Sequence, residues 1–209
     1  MNKIFIHGLG QNSDSWSDVI SKFTASDNCF CPNLKSLLGV KKVTFNNIYE
    51  SFCHYCDTYN GKIDLCGISL GGMLALKYAI DNPQKVNSLV VLGAQYKIPK
   101  FLFLLQGLVF RCLPSSLFDD RGFTKKDFIA LTESMINIDF SNGLSNITCE
   151  TLVICGGKDY ANLDASKKLH QLLKKSKLHL VTNCKHEVNV DSFEQLSEIL
   201  LCFYNTSNI

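Results

Sequence analysis

The chain has 209 residues, enough for a single domain that buries its own hydrophobic core without disulfides or metals. We therefore expect one domain over residues 1–209. The formal net charge is only +2, so the composition offers no basic excess to hold nucleic acid phosphates. Nucleic acid is accordingly not an expected partner.

The N-terminal sequence indicates where in the cell the protein is expected, and the cysteines indicate whether a metal or cofactor is expected. The chain leads almost directly into a β-rich run, with no basic segment, long apolar core or small-residue cleavage site, which predicts a cytoplasmic protein without stable membrane insertion. Several of the ten cysteines lie inside predicted strands or helices, where a thiol packs as a small apolar side chain. Cys53 and Cys56 have redox or zinc spacing, but no second ligand pair lies nearby in the sequence. We predict neither a metal nor a cofactor.

The first predicted strand, residues 3–6, ends at the glycine loop His7-Gly8-Leu9-Gly10. Capping residues and apolar spacing then predict a helix over residues 13–23. Glycines in the loop let backbone amides turn towards an anion, so the loop is a candidate for half of an oxyanion hole. A second strand is predicted over residues 28–33, and a helix over residues 44–59.

The next predicted strand, residues 62–66, runs into Gly67-Ile68-Ser69-Leu70-Gly71-Gly72 and then into helix formers at residues 73–80. A strand, a sharp turn and a helix around a central serine predict a nucleophile elbow. The serine stands at the apex of a strained turn. A side chain at Gly67 or Gly71 would collide with the converging strand and helix, which explains the glycines.

Residues 86–93 form a nearly continuous apolar run, as expected of a parallel strand buried on both faces. Strands that alternate with helices predict a doubly wound, mostly parallel α/β sheet. The alternation then stops, and we predict a helical lid over residues 96–147 that contains an amphipathic helix capped by Thr124. Its apolar residues line an acyl pocket or only pack the lid onto the sheet; an interfacial role on lipid is a weaker alternative.

The alternation resumes with a buried strand at residues 151–155 that ends just before Asp159. A helix over residues 162–175, a strand over residues 177–181 and a helix over residues 191–204 follow. His186 lies just beyond that last strand. Working groups sit at the carboxyl ends of strands in open α/β sheets, so Asp159 and His186 are candidate site residues. Asp164 is an alternative acid, although the dipole of the following helix explains a carboxylate there.

The remaining histidines are expected to have structural roles. His54 and His170 lie in predicted helices and His179 in the last predicted strand. His7 belongs to the glycine loop, which it shapes rather than serving as a proton carrier.

Together these motifs resemble the α/β-hydrolase superfamily along almost the whole chain. The loop at His7-Gly8-Leu9-Gly10, the elbow, Asp159 and His186 follow the family's order of nucleophile, acid and base. The resemblance implies a minimal version of that fold with about six strands, its lid inserted after the strand that is sixth in the family's usual count. Two departures concern loop shape: Lys185 stands where a glycine is frequent, and no proline follows Asp159.

The resemblance also implies roles for five residues. Ser69 is the nucleophile, His186 the general base, Asp159 the acid that orients the imidazole, and the backbone N–H groups of Leu9 and Leu70 form the oxyanion hole. The implied enzyme is a small serine carboxylesterase that cleaves a small-molecule ester of small or medium acyl chain through an acyl-enzyme intermediate. The same triad also serves carbon–carbon bond hydrolysis, elimination and acyl transfer, and the fold also occurs as a non-catalytic ligand-binding module. The sequence leaves the physiological substrate and the oligomeric state open.

Overall fold

A parallel β-sheet forms the centre of the protein. The computed structural model describes residues 1–118 and 122–206, so small parts of the predicted domain (1–209) and of the predicted lid (96–147) lie outside the described residues. The sheet has the strand order β2-β1-β3-β4-β5-β6, with every neighbouring pair parallel. Its strands are β1 (Asn2–Ile6), β2 (Asn28–Phe30), β3 (Ile63–Ile68), β4 (Val86–Leu92), β5 (Glu150–Gly156) and β6 (Ser176–Val181). The predicted six-stranded α/β sheet is confirmed.

Helices connect these strands and cover both faces of the sheet. They are α1 (Ser17–Ile20), α2 (Leu34–Leu38), α3 (Phe45–Asp57), α4 (Leu70–Asp81), α5 (Lys100–Cys112), α6 (Lys125–Met135), α7 (Leu163–Leu172), α8 (Val188–Asp191) and α9 (Phe193–Thr206). Short 3-10 segments cover Ser13–Trp16, Ser115–Phe118 and Ser141–Asn146.

Three predicted elements differ from the structure. The helix predicted over residues 13–23 is divided into a 3-10 turn, capped by the Asn12 side chain, and the short α1. The strand predicted over residues 28–33 ends at Phe30, because the Asn33 side chain accepts the Ser36 N–H and begins α2, which the sequence analysis did not predict. The predicted last helix is preceded by α8, with a break at Ser192.

The protein has two hydrophobic cores, one on each face of the sheet, because alternate side chains of a strand point to opposite faces. Leu65 and Val91 lie in the cluster that also contains residues of α3 and α4. Their strand neighbours Cys66 and Val90 lie in the other cluster, which contains residues of α1 and α9. Every residue of β3 is buried, so the strand that leads to the elbow is held from both sides.

The predicted lid region forms a helical insertion between β4 and β5, made of α5, α6 and two 3-10 segments. Its two ends are joined where the Phe140 N–H donates to the Tyr96 carbonyl oxygen, 2.8 Å away. Inside it, the rings of Phe110, Phe118 and Phe128 pack edge to face, with centroids 4.9–5.9 Å apart. Thr124 and Asp127 form the capping box of α6, so the predicted cap is confirmed.

The outer face of α5 is apolar and exposed to solvent. Phe101, Leu104, Leu105 and Leu108 are all about half exposed or more, and none of them faces the sheet. No helix in the described part of the chain is long and apolar enough to cross a membrane.

Of the cysteines that the sequence places inside elements, those on strands are packed as predicted, whereas Cys202 on α9 is exposed, so the prediction is wrong there. Cys66 and Cys155 are buried in β3 and β5, and Cys53 and Cys56 are free thiols on α3. Burial raises the pKa of the Cys155 thiol to about 11, so the thiolate is disfavoured near neutral pH. The buried thiols of Cys56, Cys66 and Cys155 therefore behave as core side chains.

Gly71 provides a test of the close packing between α4 and β1. A Cβ atom there would lie 2.1 Å from the Ile6 carbonyl oxygen, so Gly71→Ala should lower the free energy of unfolding by about 1–3 kcal/mol or more, measured by urea denaturation. Gly107→Ala on α5 is the matched control, because a Cβ there meets no atom within 4 Å. That control should stabilise the protein by about 0.5–1 kcal/mol. Equal effects of the two substitutions would contradict the packing argument.

Candidate active site

Ser69 occupies a strained turn between β3 and α4. Its φ of 54° and ψ of −116° lie in a region that residues with a side chain rarely adopt. A Cβ atom on Gly67 would lie 2.3 Å from the Gly71 carbonyl oxygen, so the two segments approach each other through glycines only. The Ser69 N–H donates to the Leu92 carbonyl oxygen of β4 at 2.9 Å, which anchors the turn. The predicted strand–turn–helix setting of the elbow is present.

Asp159 and His186 meet at the carboxyl ends of two neighbouring strands. The Asp159 Oδ2 atom lies 2.7 Å from Nδ1 of His186. Their loops are joined by backbone hydrogen bonds, including one of 2.8 Å from the Lys158 N–H to the Cys184 carbonyl oxygen. A Cβ atom on Gly156 would lie 1.9 Å from the Lys185 carbonyl oxygen, so this close approach requires glycine.

The carboxylate that faces His186 is that of Asp159, which is buried, rather than that of Asp164, which is exposed in the first turn of α7. The other three histidines predicted to be structural lie where expected. His54 is on α3, His170 on α7 and His179 on β6.

One cavity brings all five predicted site residues together. It has a volume of about 480 Å³, and its lining includes Leu9, Ser69, Leu70, Asp159 and His186. These side chains come from four separate loops at the carboxyl edge of the sheet, which is where open α/β sheets bind ligands. The insertion forms the rest of the wall. Among the described residues, no group of three His, Cys, Asp or Glu side chains is arranged to hold a metal ion.

A family model described as the alpha/beta hydrolase family matches residues 4–199. The chain belongs to this family. Its membership agrees with the elbow, the loop order and the sheet topology described above, and it supports the prediction of a hydrolase.

Two curated relatives are hydrolases of 2-hydroxy-6-oxononadienedioate and 2-hydroxy-6-oxononatrienedioate. The one from Pseudomonas sp. is 23% identical, over 96% of this chain and 86% of the relative. The one from Dechloromonas aromatica (strain RCB) is 22% identical over 68% of this chain, and the match spans 62% of the relative's length.

Solved structures of the same family share the fold. MenH from S. aureus superposes with a TM-score of 0.84 at 20% identity, covering 100% of this chain and 95% of that one. A thermophilic esterase from Thermogutta terrifontis gives 0.83 at 14% identity, covering 100% and 91%. At these identities the likeness establishes the fold alone.

Two side-chain amides that local sequence patterns do not indicate hold the carboxylate of Asp159. The Asn162 Nδ2 group lies 3.0 Å from both carboxylate oxygens of Asp159 and 3.2 Å from Nδ1 of His186. Gln95 orients this amide, because its Nε2 donates to the Asn162 Oδ1 atom at 2.8 Å. Their separation of 67 residues in sequence hides the pairing from any local pattern.

A second amide pair ties the glycine loop to the loop that carries the histidine. The buried Gln11 side chain accepts the Gly8 N–H at 3.2 Å through Oε1, and its Nε2 donates to Asn189 Oδ1 at 3.1 Å. Asn189 in turn donates to the Ser15 carbonyl oxygen at 3.0 Å. The predicted oxyanion loop and the histidine loop are therefore held in a fixed relation by side chains from opposite ends of the chain.

His7 fixes the other side of the glycine loop. It is buried, its Nδ1 lies 2.9 Å from the Gly8 carbonyl oxygen, and its Nε2 accepts the Leu34 N–H at 3.1 Å. This pattern requires a neutral ring protonated on Nδ1, and burial lowers the pKa of His7 below its ordinary 6.5. The structure supports the prediction that His7 shapes the loop.

Protonation of His7 should make stability depend on pH. Because the pKa of His7 is lowered in the folded state, the unfolded chain binds this proton first as the pH falls below 6.5. The free energy of unfolding should therefore decrease between about pH 7.5 and pH 5.5. His7→Gln should be less stable at the higher pH but show a smaller decrease, measured by urea denaturation at both pH values. His54→Gln on the exposed face of α3 should keep the wild-type decrease, and an unchanged decrease in His7→Gln would refute the assignment.

Proposed function

We propose that this protein is a serine hydrolase that cleaves a carboxylic ester of small or medium acyl chain. One arrangement carries the proposal: Ser69 on a strained elbow lines the same cavity as the hydrogen-bonded Asp159–His186 pair. A strained backbone at a cavity is where functional side chains concentrate. A serine hydroxyl that lines a cavity, a buried carboxylate and a histidine, in this order along the chain, are the components of nucleophilic acyl transfer.

In the proposed reaction, the Ser69 hydroxyl attacks the ester carbonyl carbon while His186 takes its proton. Asp159 holds the Nδ1–H tautomer of the imidazole and stabilises its charged form. The alcohol leaves with the proton from His186, and water then hydrolyses the acyl-enzyme by the same route in reverse. The backbone N–H groups of Leu9 and Leu70 stabilise the oxyanion, each donor contributing about 3 kcal/mol in the transition state.

The proposed acyl pocket is the part of the cavity under the helical insertion, which we assign as the lid over residues 96–147. Phe103, Phe110, Phe128 and Met135 contribute its apolar walls. A volume of about 480 Å³ suits a ligand of modest size. Of the choices that the sequence analysis left open, this arrangement favours lining of an acyl pocket over packing alone.

Replacement of the nucleophile tests the proposal. Ser69→Ala should lower kcat on p-nitrophenyl esters, acetate through palmitate, by about 10⁵-fold or more, because the triad acts as a unit. Wild-type turnover should show an optimum in acyl length, and a phosphonate probe should label Ser69. Ser36→Ala, on the exposed surface of α2, should keep wild-type turnover.

The acid offers a matched pair of variants for the same assay. Asp159→Asn should lower kcat by about 10⁴-fold, since the imidazole loses its orienting carboxylate. Asp164→Asn should not, because that side chain is exposed in α7. The triad assignment would be contradicted if Ser69→Ala retained most of its activity, or if the two Asp variants lost kcat equally.

The amides behind the acid give a further prediction. Asn162→Ala should lower kcat by about 10- to 100-fold with little change in thermal stability, because Asp159 and His186 lose a shared neighbour that sets their geometry. Gln95→Ala should have a smaller effect on kcat, since Gln95 acts by orienting Asn162. The double variant should be no slower than Asn162→Ala alone, and additive losses in kcat would show that the two amides act separately.

Carbon–carbon bond hydrolysis is the second candidate, favoured by the curated relatives that act on 2-hydroxy-6-oxononadienedioate. It uses the same nucleophile, acid and base. Ser69-dependent turnover of that compound, with no turnover of any ester in the series, would move the assignment there. A rise in product yield with an acceptor other than water would indicate acyl transfer. A Ser69 that neither turns over a substrate nor reacts with a phosphonate would indicate a non-catalytic fold.

A further inference from the structure

The part of the cavity wall that the described residues form contains almost no charge. Among the described residues that line it, Asp159 and His186 alone have ionisable side chains, and they pair with each other. The apolar part of the wall is large. It includes Leu9, Met73, Phe103, Phe110, Phe128 and Met135.

The polar groups of the wall have few hydrogen-bond donors to offer a ligand. The Thr132 hydroxyl donates to the Phe128 carbonyl oxygen at 2.8 Å. The Gln95 amide donates to Asn162 Oδ1 at 2.8 Å and to the Ala161 carbonyl oxygen at 3.1 Å. The Asn162 amide is directed at Asp159. Each of these donors is already engaged with the protein, which leaves the exposed Gln106 as the side-chain amide of the wall open to a ligand.

Four described cations on and around the insertion have partners that do not line the cavity. Lys35 pairs with Asp127 at 2.9 Å, and Lys97 with Asp139 at 2.8 Å. Two further cations are engaged in the same way. Arg111 pairs with Glu133, and Lys125 donates to the carbonyl oxygens of Arg111 and Leu113.

We infer that the acyl chain accepted by this site is uncharged along its length, and that the site discriminates against acyl chains that end in a carboxylate. The inference rests on the proposed ester hydrolysis and specifies its substrate class. A carboxylate moved from water into this cavity loses its hydration and gains no cation among the described side chains of the wall, where the exposed Gln106 amide is the side-chain amide left to donate to it. An uncharged chain, by contrast, gains apolar contact with the phenylalanine and methionine side chains.

Three p-nitrophenyl esters of nearly equal length isolate the effect of charge: the hexanoate, the monoester of adipate, and the same adipate with its free end methylated. The hexanoate and the methylated adipate should have similar kcat/KM values. The free adipate monoester should be lower by about 100-fold or more, because its terminal carboxylate is buried without a partner. The methylated compound controls for length and for the extra oxygen atoms.

A charge added to the wall should reverse this preference. Gln106→Arg places a cation on the cavity side of α5, so the ratio of kcat/KM for adipate monoester to hexanoate should rise by about 10-fold or more. Leu104→Arg adds the same charge to the same helix on its exposed outer face and should leave that ratio at the wild-type value. The ratio, rather than either rate alone, is the quantity compared.

The outcomes separate this inference from the proposed function. Ser69-dependent turnover of all three esters at similar kcat/KM would overturn the charge discrimination while leaving the esterase intact. Equal changes of the ratio in Gln106→Arg and Leu104→Arg would also overturn it, since the effect would then not depend on the cavity wall. Absence of Ser69-dependent turnover of all three esters would instead overturn the proposed function. A low ratio that rises in Gln106→Arg alone is the expected result.

Discussion

The site depends on the close approach of backbone to backbone at three glycines. Gly67 and Gly71 let the elbow turn within contact distance of β1, and Gly156 lets the histidine loop lie directly on the end of β5. At each position a Cβ atom would lie within about 2.3 Å of a carbonyl oxygen, so any other residue displaces a loop that carries a site residue. Ser69 and His186 can face one cavity only because these segments are in contact.

Side-chain amides hold in place the loops that the glycines bring close together. Asn162 and Gln95 hold the carboxylate of Asp159, while Gln11 and Asn189 hold the glycine loop against the histidine loop. These amides are neutral, so they orient the site without adding charge to it. The strain of the Ser69 backbone is maintained by the same rigid surroundings, because an isolated turn would relax out of that conformation.

The described ion pairs of the helical insertion are formed by side chains that do not line the cavity. The Lys97–Asp139 ion pair lies towards solvent, whereas Phe110, Phe118 and Phe128 pack against one another edge to face. An apolar wall of this kind selects ligands by volume and by the cost of desolvation rather than by specific polar contacts. The same physical property underlies both the proposed acyl pocket and the inferred rejection of charged chains.

Short stretches of sequence were sufficient to predict the elements that depend on neighbouring residues. The buried strands, the elbow around Ser69 and the positions of Asp159 and His186 after their strands all follow from short apolar runs and glycine spacing. The wrong end predicted for the second strand also has a local cause. The capping of α2 by Asn33 shortened a predicted strand, because one side-chain hydrogen bond there outweighs β propensity.

Contacts between distant segments were decided by the tertiary structure alone. The sequence by itself determined the fold class, the elbow and the order of the candidate site residues, since each depends on neighbouring residues. It did not determine which carboxylate meets His186, that Gln95 orients Asn162, or that Lys97 pairs with Asp139. Such pairings join residues tens of positions apart, and their geometry exists only once the sheet brings its strand ends to one edge.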